Sequence, residues 1–94
     1  MTYLCILTLQ FHLEGCDSLK DKRQRLSGLR ERFGRQTHIA VCESDFADEL
    51  GRAEWTFVVC SSTPQRIDKT INEIDEFAAT QLDAVITERQ RQML

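Results

Sequence analysis

Tyr3-Leu4-Cys5-Ile6-Leu7-Thr8-Leu9-Gln10-Phe11-His12-Leu13 alternates between a bulky apolar set (Tyr3, Cys5, Leu7, Leu9, Phe11, Leu13) and a mixed set (Leu4, Ile6, Thr8, Gln10, His12). A period of two is the side-chain period of a strand, so one face of this first strand is expected in the core and the other outside it. Glu14-Gly15-Cys16-Asp17 breaks the alternation. Gly15 is free to take a positive φ, and Asp17 or Ser18 can accept a hydrogen bond from the free N–H groups of a following helix. Leu19, Leu26, Leu29 and Phe33 then recur at helical spacing up to Gly34, which predicts a first helix over about 18–33.

Working outward, a second strand is expected over about 37–43. The polar stretch 44–51 reads as a loop with one helical turn. Alternation returns at Ala53–Ser61 through Trp55, Phe57 and Val59, predicting a third strand paired as a hairpin with the second. Thr63-Pro64 announces a second helix, with Thr63 as cap and Pro64 at the first position. Ile67, Ile71, Ile74, Phe77 and Ala78 form its apolar stripe. Ala84–Glu88 reads as a fourth strand and Arg89–Leu94 as a polar tail. The order is βαββαβ: an α+β, ferredoxin-like plan, one domain over 1–94, with a four-stranded antiparallel sheet, strands 1 and 3 central, and both helices on one face. Leu4, Ile6, Thr8, Gln10, His12, Thr56, Val58 and Cys60 would then line the uncovered face. Those side chains are not the stacking aromatics that an RNA-reading sheet needs. A modestly apolar open sheet suits a homodimer contact instead.

The 94 residues carry 12 Lys+Arg against 15 Asp+Glu, a net charge of −3, which excludes a globally basic polyanion binder. The charge is unevenly spread. Residues 18–35 hold seven bases (Lys20, Lys22, Arg23, Arg25, Arg30, Arg32, Arg35) and two acids (Asp21, Glu31), a net of +5 that leaves −8 for the rest. No apolar run approaches the roughly 18 residues of a membrane span, and no basic, apolar and small-residue leader opens the chain. A cytoplasmic protein without a membrane partner is expected. Cys5, Cys16, Cys42 and Cys60 show no CxxC and no Cys/His pairing, so they read as thiols, with no metal and no cofactor. Cys16, in a loop before a helix, is the one candidate for reactivity.

Placed at 100° steps, Lys22 falls inside the apolar stripe of the first helix. Arg23 and Arg30 fall on its margin, and Arg25 and Arg32 on the opposite flank. Lys22 is expected to snorkel past the helix end toward Glu14–Asp17. Some of these bases are expected to pair with Asp68 or Asp75 of the second helix. The rest form a phosphate-contacting patch of Lys20, Lys22, Arg23, Arg25 and Arg30, each contact adding a slope of about −0.9 in log K per log[salt]. His12 and His38 have no partner carboxylate or serine at a recognisable spacing, so no enzyme is expected.

Ser18-Leu19-Lys20-Asp21-Lys22-Arg23, with Phe11-His12-Leu13 and Gly15 before it, and Val41-Cys42-Glu43, Arg52-Ala53-Glu54 and Val58-Val59-Cys60-Ser61 after it, resembles the YlxP-like family, a bacterial family of unknown function. The resemblance covers essentially the whole chain. It implies a small ferredoxin-like protein whose genes lie among those for transcription elongation, translation initiation and ribosome maturation, hence RNA or ribosome association. By resemblance Lys20, Lys22 and Arg23 are the preferred functional residues, with Glu43 and Arg52 second. The chain departs from the family's commoner form at Glu49-Leu50-Gly51, where many members carry a Leu-Trp pair. The expectation is a non-catalytic RNA- or ribosome-associated binding module. Its alternatives are a homodimeric protein-interaction module and a small-anion or metabolite site at the Gly15 turn.

Overall fold

In the computed structural model, which describes residues 1–94, β1 (Tyr3–His12) lies between two partners. It pairs antiparallel with β3 (Arg52–Ser61) from Tyr3↔Ser61 to His12↔Arg52 and with β4 (Val85–Met93) from Cys5↔Met93 to His12↔Val85. β2 (Ile39–Asp45) pairs antiparallel with β3, giving the order β2-β3-β1-β4. With α1 (Leu19–Phe33) and α2 (Pro64–Thr80) in the connections, this is the ferredoxin-like βαββαβ fold, with β1 and β3 central as expected.

Alternation sorts the sheet into two faces. Cys5, Leu7, Leu9, Phe11, Ala53, Trp55, Phe57 and Val59 are buried against the helices together with Leu26, Leu29, Phe33, Ile67, Ile71, Ile74 and Ala78. Burying one such aliphatic or aromatic side chain is worth roughly 1.5–3 kcal/mol. Phe33 ties α1 to both neighbours, meeting Phe57 edge-on at 6.1 Å and Phe77 of α2 at 5.5 Å. Gly28 lets the helices approach closely there, since a Cβ at that position would lie 3.0 Å from the Phe77 ring. Both helix starts are capped as their sequences require: Ser18 Oγ accepts from Asp21 N–H at 3.0 Å, and Thr63 Oγ1 from Arg66 N–H at 3.3 Å. Gly15 takes φ 67°, the left-handed turn expected of it.

Three expectations are corrected. β2 runs on to Asp45, and the stretch after it holds a tight turn, closed by Glu49 N–H donating to Phe46 O at 3.0 Å, without a helical turn. Arg89–Met93 is strand, not tail. Two of its inward side chains are arginines that reach over the sheet to α2, Arg89 to Asp75 at 2.6 Å and Arg91 to Asp68. A strand whose inner face is met by carboxylates can alternate in purely polar residues, so hydrophobic periodicity does not register it. These same pairs occupy Asp68 and Asp75, which therefore make no ion pair with α1.

On the open face Gln10 donates to Glu54 at 2.9 Å, Ser44 to Glu54 at 2.8 Å and Thr56 to Ser44 at 2.7 Å. This polar ladder crosses three strands beside the apolar end at Leu4, Ile6 and Val58.

Candidate functional site

The bases of α1 divide by burial into a structural set and an exposed set. Lys22 belongs to the first: it is 3 % exposed, and its ammonium does not emerge near Glu14–Asp17. It turns instead to the β2–β3 loop, donating to Phe46 O at 2.6 Å and Glu49 O at 2.7 Å, with Glu43 Oε2 at 3.3 Å. A buried ammonium needs a charge partner and acceptors for its three N–H groups, and this loop supplies both.

The same loop gathers the two secondary candidates. Glu43 is the ion-pair partner of Lys22. Arg52 pairs with Glu49 and lays its guanidinium 3.8 Å from the Phe46 ring centroid. Phe46 has φ 61°, a left-handed conformation costly for a residue with a Cβ. It is held there from three sides: Asp45 Oδ1 accepts from its N–H at 2.7 Å, Lys22 donates to its carbonyl, and Arg52 covers its ring. The Arg52 hydrogen bond, reinforced by the Arg52 and Lys22 charges, holds the Glu49 carboxyl below its ordinary value. Lys22, Glu43 and Arg52 are thus brought together as a clip that fixes the loop on α1.

Arg25 is also engaged internally. It pairs with Asp21 at 3.0 Å, donates to Glu14 O at 2.8 Å and lies 3.5 Å from Asp83 without a hydrogen bond to it. Its guanidinium is raised further above its ordinary value, chiefly by the Asp21 hydrogen bond.

Lys20, Arg23, Arg30, Arg32 and Arg35 are exposed and take part in no ion pair. Three of them, Lys20, Arg23 and Arg30, fall within an arc of roughly 80° on α1 and along about 15 Å of its length. Arg32 is on the other flank, 5.1 Å from the Phe77 ring centroid.

Between α1 and the clipped loop opens a cleft of about 460 Å³, with Arg23 and Arg30 at its wall and Leu26, Glu43, Asp48 and Trp55 also lining it. Arg30 lies 5.4 Å from the Trp55 ring centroid. Trp55 was legible in the sequence only as a core residue; its place at the cleft follows from the loop's position, which is a non-local property.

The remaining candidates fall elsewhere. No cleft is lined by Gly15 or Cys16; the Cys16 thiol donates to Ser18 O at 3.5 Å. His12, for which no partner was expected, has Glu14 at 2.8 Å on the exposed strand end, and His38 has Thr70 Oγ1 at 3.4 Å. No group of three or more His, Cys, Asp or Glu side chains is placed to hold a metal ion, and no helix is long and apolar enough to cross a membrane.

Fold and site together describe a ferredoxin-like protein with a basic helix ridge above a loop-walled cleft. A profile of a protein family of unknown function, DUF503, matches residues 4–91, and the chain belongs to that family. The YlxP-like resemblance is consistent with it. No curated protein matches. Among solved structures, a putative antibiotic biosynthesis monooxygenase from Bacillus cereus is similar at 14% identity and TM-score 0.45, over 99% of this chain and 90% of that one.

Proposed function

We propose that this protein is a non-catalytic RNA-binding module, ribosome-associated in its cell, that contacts backbone phosphates through the exposed ridge of α1. The observation that carries the reading is the set Lys20, Arg23 and Arg30: three cations without ionic partners on one arc of one helix, in a chain whose net charge is −3. Lys22 and Arg25 leave the contact set because their charges are spent inside the protein. The residues outside 18–35 sum to −8 and as a whole disfavour nucleic acid, so contact centres on α1. A cytoplasmic location goes with this reading.

The test replaces Lys20, Arg23 and Arg30 together by Glu, with the fold checked by circular dichroism. Binding to a labelled single-stranded RNA and co-sedimentation with ribosomal subunits are expected to be lost. Unchanged binding would sink the proposal. Substituting Lys22 is not an equivalent test, because it removes the clip.

A second reading, homodimerisation, has its own observation in the partly exposed Leu4, Ile6 and Val58 on the helix-free face. Four strands about 4.8 Å apart and seven to ten residues long present roughly 600 Å². That is below the roughly 800 Å² per partner of a standard interface, so a dimer through this face alone is expected to be weak. Sedimentation showing only 10.9 kDa at high micromolar protein would remove it.

A further inference from the structure

Three groups with unused bonding capacity line the cleft between α1 and the β2–β3 loop. The first is a donor: Trp55 is 5 % exposed, and its indole Nε1 is buried with no acceptor. Orphaned buried N–H groups are rare and costly in native structures. The second is an acceptor: Glu43 meets Lys22 through Oε2 at 3.3 Å, while its Oε1 is engaged by no side chain or backbone group and the side chain is 25% exposed. The third is positive charge, Arg23 and Arg30, neither in an ion pair, with Arg30 lying over the Trp55 ring.

A simple anion satisfies only the arginines and is repelled by Glu43 and Asp48. An apolar molecule satisfies none of the three groups. The complement is a planar heterocycle that offers an acceptor to the indole N–H and N–H donors to a carboxylate, and that carries phosphate. Guanine is the base with two adjacent donors, N1–H and N2–H, matching a carboxylate's two oxygens, and with O6 and N7 as acceptors. Adenine presents an acceptor at N1, facing the carboxylate unfavourably, and uracil offers a single donor. A volume of about 460 Å³ is within the usual size of a small-molecule pocket.

We infer that this cleft takes one unpaired guanine nucleotide of the bound strand, with the base against Trp55 and Glu43 and its phosphate on Arg23 and Arg30. The inference rests on the reading of α1 as an RNA contact and names the unit that this contact reads. To admit the base, the Arg30 side chain swings from the indole to the phosphate.

Trp55 is the one tryptophan of the chain, so its fluorescence reports the cleft directly. The intact protein is titrated with the labelled RNA pentamers UUGUU, UUAUU and UUUUU, following label anisotropy for binding and tryptophan emission for occupation of the cleft. UUGUU is expected to quench the tryptophan and to bind about tenfold more tightly than the others. UUUUU is expected to bind through phosphates alone with emission unchanged. Glu43→Gln, with its fold checked by circular dichroism, is expected to erase the preference for UUGUU; the wild-type comparison stands by itself if that variant folds poorly. Equal binding of all three pentamers without an emission change would overturn the cleft proposal and leave the α1 reading standing. Failure of every pentamer to bind would overturn both.

Discussion

Lys22 shows how a residue's type and its role can part company. As a base in a Ser-Leu-Lys-x-Lys-Arg run it suggests a ligand, yet at 3 % exposure it has none of its charge to offer. Removing the charge leaves two loop carbonyls without their donor and Glu43 without its ion-pair partner, so Lys22→Met is expected to cost about 2–4 kcal/mol in urea unfolding. A loss under roughly 0.5 kcal/mol, the size of an ordinary surface change, would mean the loop stands without the clip. At Phe46, held at φ 61°, Gly adopts the backbone freely while Ala does not. Phe46→Gly is therefore expected to be more stable than Phe46→Ala by about 0.5–1 kcal/mol in the same assay, although both lose the Arg52 contact. Glu49 makes the loop acid-sensitive. Its folded pKa lies below the ordinary 4.5, so its stabilisation is fully present above that value and fades as pH falls through the folded pKa. Glu49→Gln is expected to lower stability near pH 7, where the Arg52 pair is fully formed, and to flatten the stability-against-pH curve below about pH 4.5, so that variant and wild type converge in acid.

At the scale of elements, β4 is the segment where sequence and structure diverge. Past Glu88 it holds Arg89, Gln90, Arg91 and Gln92, whose period of two is written in charged and amide side chains. The pattern was present, but nothing in it marks a core face, because that face is completed by Asp68 and Asp75 from α2. The backbone ladder with β1 and the side-chain pairs to α2 can be separated experimentally. Arg89→Gln with Arg91→Gln is expected to cost at most about 1–2 kcal/mol, since exposed pairs contribute up to roughly 1 kcal/mol each. Deleting 89–94 unpairs Cys5–Leu9 on that side and bares a strand edge. It is expected to lower the melting temperature well beyond the double variant and to promote association. Equal effects of the two changes would mean that the strand pairing contributes little. The other elements were legible because their signals are local: alternation in β1 and β3, the caps Ser18 and Thr63, Pro64, and the positive φ that Gly15 permits.

Over the whole molecule, a net charge of −3 is resolved into a net-acidic body and a basic first helix. Three or four phosphate contacts to a single strand predict a slope of about −2 to −3 in log K against log[salt]. A flat salt titration would remove the phosphate contact, and a slope twice as steep would mean that bases beyond α1 take part. The sequence by itself determined the order of elements, the two faces of the sheet and the concentration of positive charge on α1, because each is written in neighbouring residues. Tertiary structure alone decided which of those charges remain available. Whether a lysine in an apolar stripe reaches solvent or a loop carbonyl depends on where residues twenty or more positions away are folded. The same packing of the β2–β3 loop against α1 turns Trp55 from a core residue into the floor of a cleft.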